Sequence, residues 1–240
     1  MELCVNNISK YYNSKKVLDD VSFQFYSGNN YLILGKNGAG KSTLVNIIGD
    51  EIKADEGSVI LQCDEKKLDP QKELVIQFQD YNSFPFLKVK EAIKLFNEIT
   101  IDPKPSTELY DILQLHRIEN SLINKLSGGE KKSLSLYLTL LLNKKVVILD
   151  EPFADLDLDK KEQLKDYLLG YSKETNKILI FISHEVKAYQ ELFDEIMFLD
   201  GGKIIESGTQ NYLTEKYIDS RIPGVEGIFF EITGKMLEVK

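Results

Sequence analysis

Cysteine is scarce in this 240-residue sequence: Cys4 and Cys63 are the only two, with no metal-ligand spacing and no paired framework. That excludes a disulfide scaffold and fits a reducing, cytosolic setting. Histidine is equally rare, at His116 and His184. No apolar run reaches the roughly 18 residues needed to span a bilayer. The opening MELCVNNISK also lacks a hydrophobic signal-peptide core. The expectation is a chain that neither crosses nor enters a membrane by itself, yet can dock on something that does. A net charge of -8 argues against non-specific nucleic-acid binding. Internal repeats and low-complexity tracts are missing too.

What is present is ordinary for a globular chain, with 42% hydrophobic and 28% charged residues. The length fits one large α/β domain, or one with a modest appendage. The segment ELCVNNISKYYNSKKVLDDVSFQFYSGNN predicts short strands, with a loop at Tyr12 to Lys15 and a turn at Ser27 to Asn30. YLILG predicts a buried strand leading into a helix, KSTLVNIIGD, and GSVILQC and ELVIQFQ predict two more strands. From Lys88 the periodicity turns helical, in KVKEAIKLFNEI and ELYDILQLHRIEN, with DPKPST as the break. The stretch from about Ser83 to Asn143 therefore reads as a mostly helical insertion between strands. KKVVILDEP and NKILIFISHE have the short β-branched runs of central parallel strands. GGKIIESGT predicts an edge hairpin, and the tail from Asn211 is mixed. Strand–helix alternation puts the core in the α/β class.

Three stretches carry chemistry. Gly35-Lys36-Asn37-Gly38-Ala39-Gly40-Lys41-Ser42 matches G-x-x-x-x-G-K-[ST] between a predicted strand and a predicted helix, with Thr43 just beyond. Its glycines let backbone N–H groups converge on phosphate oxygens. Lys41 supplies a point charge to the β and γ phosphates, and the Ser42 hydroxyl is placed to ligate Mg²⁺. In VVILDE, four apolar residues end on Asp150 and Glu151, two adjacent acids at the carboxyl end of a buried strand. Ligands sit at that end of an open parallel sheet. Such acids are costly unless they meet a cation or a reacting group. Successive strand residues point opposite ways, so Asp150 can hold the Mg²⁺ shell while Glu151 faces a water. The third stretch is LSGGE, Leu126 to Glu130, followed almost at once by SLSLYLTLLL. It reads as a helix start with bare N–H groups and a positive dipole end, a second anion site far from the first.

Taken in order from about Tyr12 to Gly208, these residues resemble the ATP-binding subunits of ABC (ATP-binding cassette) transporters. LSGGE resembles the family signature. Gln79 in FQDYNSFPFLKV is similar to the Q-loop glutamine, and FADLD, ending at Asp157, to the D-loop. His184 in FISHE resembles the switch histidine, and Tyr12 the aromatic that stacks on adenine, although the adjacent Tyr11 is an alternative. The resemblance implies a RecA-like phosphate-loop NTPase core with a parallel sheet, an N-terminal antiparallel β-subdomain and an inserted helical subdomain. The expected division is a core of residues 1–82 and 144–212, a helical subdomain 83–143 and a tail 213–240.

It implies further that Ser127, Gly128, Gly129 and Glu130 serve ATP held by an opposing subunit, so that two ATP molecules are sandwiched in a head-to-tail dimer. Gln79 would touch Mg²⁺ or the water, Glu151 would act as base or polariser, and His184 would position the water beside the γ-phosphate. His116 has no such support and reads as a surface helix residue. The expected partners are a second ATP-binding subunit and a separate transmembrane permease, with the chain peripheral at the cytoplasmic face of the membrane. GVEGIFFEITGK is faintly similar to endings of exporter-type subunits and tilts the expectation towards export. The alternative is a soluble ABC ATPase without transport, such as one assisting iron–sulfur cluster assembly. Departures from the family pattern are Glu130 where glutamine is common, Ser133 where arginine is common, and Phe153-Ala154 before Asp155.

Overall fold

The structure is a computed structural model and describes residues 1–77, 84–183, 189–218 and 224–237. In chain order its first elements are β1 (Glu2–Tyr12), β2 (Lys15–Tyr26), β3 (Asn30–Leu34), α1 (Lys41–Ile48), β4 (Glu56–Cys63), β5 (Lys66–Leu68), the one-turn α2 (Pro70–Glu73) and β6 (Leu74–Gln77). Then come α3 (Val89–Ile99), α4 (Thr107–Ile112), α5 (Gly128–Leu141), β7 (Val146–Asp150), α6 (Leu158–Thr175) and β8 (Ile178–Ser183). The chain continues with β9 (Glu195–Asp200), β10 (Lys203–Thr209), α7 (Gln210–Lys216) and α8 (Val225–Thr233). The opening strands are longer than the short ones expected, because β1 and β2 stay paired from Glu2↔Tyr26 to Tyr12↔Lys15 across several register shifts. His116 is exposed on a single 3-10 turn.

Two sheets form. One is antiparallel, in the order β2-β1-β4-β5; the other has six strands, in the order β10-β9-β3-β8-β7-β6. In the second, β9, β3, β8, β7 and β6 run parallel, and β10 pairs antiparallel with β9 as the expected edge hairpin. Every residue of β3 and β8 is buried, as both-face coverage of a parallel sheet requires. Side chains alternate along each strand. Tyr31, Ile33, Val146, Ile148, Ile178 and Ile180 join α1 and the antiparallel sheet in one core. Leu32, Leu34, Val147, Leu149, Leu179 and Phe181 join α3, α4, α5 and α6 in the other. α1 and α5 thus lie on opposite faces of the six-stranded sheet.

α5 is buried from Lys132 to Leu141, which explains why SLSLYLTLLL has no polar stripe. Within it the Thr139 hydroxyl donates to Ser135 O at 2.7 Å, so a polar side chain in an apolar setting is satisfied. The mixed tail is not loose. α8 places Val225, Ile228 and Phe229 in the helical-side core, where Phe229 packs 6.3 Å from Phe198 of β9. The apolar pattern of GIFFEI, which had suggested an exporter-type ending, is therefore accounted for by packing.

Lys177 is a buried cation whose surroundings shift its titration. Lys177, only 5% exposed just before β8, donates to Asn143 Oδ1 at 2.6 Å and to the Tyr171 hydroxyl at 3.1 Å. Burial, reinforced by the charge of Lys104, lowers its pKa from 10.5 to about 8. The unfolded chain then binds more protons than the folded one between those two values. Stability gains from this site as pH rises through that window, and the penalty is fully present below it. Relative to Lys177→Met, the wild type should gain about 1–3 kcal/mol between pH 7.5 and pH 10 in urea unfolding. A pH-independent difference would show that Lys177 titrates normally.

Candidate functional site

The parallel register sets the site. Leu34 pairs with Ser183 and Asp150 with Ile182, so β3, β8 and β7 end side by side at the carboxyl edge of the sheet. The phosphate-loop candidate leaves β3, the acid pair leaves β7, and Ser183 closes β8. The acid pair lies more than a hundred residues after the loop and Ser183 a further 32 residues on from Glu151, and the sheet makes them neighbours.

The loop from Gly35 to Gly40 is wrapped tightly against its surroundings. A Cβ on Gly35 would lie 2.4 Å from Leu199 O, and one on Gly40 would lie 2.8 Å from Leu18 Cδ2. Gly40 has φ +110 and is the N-cap of α1, with no side chain bonding the first turn and no acid within it. By contrast Asp69, Ser106, Ser127, Asp157 and Thr209 each cap their own helices through a side-chain oxygen. The start of α1 therefore lacks the side-chain cap of the other helices, and a Cβ at Gly38 would meet nothing within 4 Å. The Lys41 ammonium folds back to donate to Gly35 O and to Lys36 O. A positive dipole end, an open loop and an ammonium over it fit a polyphosphate. Lys36, Asn37, Ala39, Ser42 and Thr43 complete the turn and the first residues of α1.

Asp150 is the last residue of β7 and half-buried. Glu151 follows in a left-handed conformation, φ +51, and is 8% exposed. Its N–H donates to Ile182 O at 2.9 Å, and its Oε2 accepts from the Ser183 hydroxyl at 2.9 Å. Strand alternation alone does not aim this carboxylate: the turn at Glu151 and the end of β8 do. A non-glycine residue held at positive φ costs about 1–3 kcal/mol and persists only where its surroundings over-determine it. Ser183 was not singled out by sequence reasoning, because a serine ending an apolar strand carries no motif.

Ser127 is the N-cap of α5. Its N–H and hydroxyl both donate to Glu130 Oε2, at 2.8 and 2.7 Å, and its oxygen accepts from Glu130 N at 3.3 Å. This reciprocal box holds the Glu130 carboxyl below the usual carboxylate range, chiefly through the Ser127 N–H and then its hydroxyl. Helix geometry leaves the N–H groups of Gly128 and Gly129 without intrahelical acceptors. A Cβ on Gly128 would meet nothing within 4 Å, so that face is open. Around this turn lies a groove of about 290 Å³, lined by Arg117, Ser127, Gly129, Glu130, Asp155 and Lys160 among others. Ser133 is buried in the same groove.

The structure also gives Asp157 a role that the sequence did not suggest. It caps α6 by accepting from Lys160 N at 2.9 Å. Phe153 is explained by packing, stacked 4.1 Å from the Tyr189 ring and buried beside Phe181. Tyr11 and Tyr12 end β1, both exposed, with Lys16 over the first ring and Lys10 over the second at 5.4 and 5.7 Å. Gln79 and His184 lie outside the described residues. Gln77, buried at the end of β6, faces α5 with its Nε2 3.5 Å from Lys132 O.

A phosphate-loop α/β protein is the class these features define: an anion-ready helix start after one parallel strand and paired acids after another. Residues 18–154 match the model of the ABC transporter family. The probable sulfate/thiosulfate import ATP-binding protein CysA of Chlorella vulgaris is 33% identical, over 90% of this chain and 94% of that relative. A solved ATP-binding subunit of an ABC transporter superposes with a TM-score of 0.85, covering 97% of this chain and 100% of the other, at 21% identity. A dimeric post-hydrolysis state of the ATP-binding cassette MJ0796, bound to ADP and Pi, gives a TM-score of 0.75 at 25% identity, over 86% and 98% of the two chains. The chain belongs to the ABC transporter family. It is an ATP-binding subunit that hydrolyses ATP in the service of transport. The expectation of export drawn from the tail is not supported by the relative, and α8 supplies the packing reason for that sequence.

Ser127→Ala should destabilise the chain by about 0.5–2 kcal/mol, since it removes both halves of the hydroxyl's pairing at the start of α5. Equilibrium denaturation measures this, and an unchanged midpoint would mean that the box contributes nothing to folding.

Proposed function

We propose that the chain is the energising subunit of an uptake system: it pairs with a second ATP-binding subunit and drives a separate permease from the cytoplasmic face of the membrane. No helix among the described residues is long and apolar enough to cross a membrane; in this reading the translocation route is the permease's. Import is supported by the 33% identical relative, which is named an import protein. The observation that carries the pairing is the placement of α1 and α5 on opposite faces of the six-stranded sheet. The phosphate loop and the LSGGE turn each offer an open helix start, and a head-to-tail partner lets one chain's turn meet the other's nucleotide. The MJ0796 cassette is dimeric in its structure with ADP and Pi, which supports pairing.

In this reading Lys41 and the amides of Gly38 to Ser42 hold the phosphates, with Thr43 beside them and Tyr12 against the adenine. The Ser42 hydroxyl and the Asp150 carboxylate are hard oxygen donors suited to Mg²⁺. Among the described residues no group of three or more His, Cys, Asp or Glu forms a protein metal cage. A metal shared between one carboxylate, one hydroxyl and phosphate oxygens is the arrangement these residues suit. When bound, Mg²⁺ neutralises charge on the β and γ oxygens. Glu151 accepts the proton of the attacking water or polarises it, the bond between the γ-phosphorus and the β-bridging oxygen breaks, and ADP and phosphate are released. Gln79 and His184 keep the roles the resemblance implies. Ser127, Gly128 and Gly129 cap the partner's γ-phosphate, with Glu130 fixing the turn and Asp157 fixing the loop beside it. Loss of that phosphate removes the cross-subunit contact, and the pair opens.

Glu151→Gln should still bind ATP, slow turnover by roughly two orders of magnitude or more, and elute as an ATP-stabilised dimer. Near-normal phosphate release in that variant would remove Glu151 from its role. Reconstituted with its permease, the protein should move solute towards the side on which it and ATP reside. Net movement away from that side would replace uptake with export.

A further inference from the structure

We infer that Ser183 is a positioning residue for hydrolysis, its hydroxyl holding the Glu151 carboxylate in the orientation that meets water. The inference deepens the assignment of Glu151 as base or polariser and rests on it. Three observations support it. Ser183 is the last residue of β8 and almost wholly buried, and its hydroxyl donates to Glu151 Oε2 at 2.9 Å. The Glu151 main chain is tied to the same strand one residue earlier, through its N–H to Ile182 O at 2.9 Å. Glu151 also occupies the left-handed region, φ +51, where the turn aims the side chain back towards β8 instead of along β7.

A glutamate has three side-chain torsions, and one anchored at its backbone alone would sample several carboxylate positions. A directional hydroxyl bond at 2.9 Å restricts that freedom before substrate arrives. Serine suits the position for a second reason. Ser183 pairs with Leu34 across the β3–β8 ladder, so its place is fixed relative to the strand that carries the phosphate loop. One short side chain therefore couples the acid of β7 to the frame of β3. The role concerns orientation, with no contact to nucleotide required.

The test is steady-state phosphate release by the purified full chain, with ATP affinity and thermal midpoint measured alongside. Ser183→Ala should lower kcat roughly 10- to 100-fold while KM for ATP changes by less than about twofold and ATP binding persists. Ser183→Thr, which retains the hydroxyl, should recover most of the loss. Combined with Glu151→Gln, Ser183→Ala should add no further decrease, because it acts through that carboxylate. A kcat within about twofold of wild type for Ser183→Ala, beside an inactive Glu151→Gln, overturns the positioning role and leaves the Glu151 assignment standing. Equal losses in the alanine and threonine variants overturn it as well, since the hydroxyl would then be irrelevant. Near-normal turnover in Glu151→Gln itself would instead remove the assignment on which the inference rests.

Discussion

The parallel ladder through β3, β8 and β7 is the constraint on which the rest depends. A parallel strand must be re-entered from the same end, so each crossover returns its loop to one carboxyl edge. That edge gathers a helix start left open for an anion, two adjacent acids and a buried hydroxyl from segments far apart in the chain. No local propensity could bring them together. The apolar residues of the three strands are buried on both faces, so the register cannot slip without exposing core side chains.

The two helix starts are built differently, and the difference is informative. α1 begins at a glycine with positive φ and no side-chain cap, so no side chain of its own is committed to that turn. α5 begins at a serine whose hydroxyl is already engaged by Glu130. The first site is open within the monomer. In the second, Ser127 is held by its own chain while Gly128 stays exposed and Gly129 lies against Asp155, which suits a turn that meets its anion only when a partner arrives. Glutamate at position 130, a departure from the common glutamine, keeps the capping interaction: its Oε2 accepts two hydrogen bonds from Ser127, which hold the carboxyl below the usual carboxylate range.

The departure at Phe153 resolves into packing. Phe153 fills space between Tyr189 and Phe181, where a small residue would leave a void. The tail forms α7 and α8, and Phe229 is enclosed against β9. A sequence such as GIFFEI looks like a family marker when read as a string. Its pattern is equally that of a short helix burying one face, and the packed structure supports that simpler account.

The sequence by itself determined the α/β class, the edge hairpin, the phosphate-loop turn, the acid pair and the start of the signature helix. Each of these depends on spacing within a few residues: glycines in a loop between strand and helix, β-branched runs bounded by polar residues, a polar glycine-rich turn ahead of an apolar run. It did not reveal the length of the first strands, the helices of the tail, the capping by Asp157 or the contact between Ser183 and Glu151. Those follow from pairings between segments that neither composition nor local periodicity encodes. Only the tertiary structure decided that α1 and α5 lie on opposite faces and that a serine ending one strand holds the acid ending its neighbour. Both are consequences of strand order, which is set by the burial of two separate cores at once.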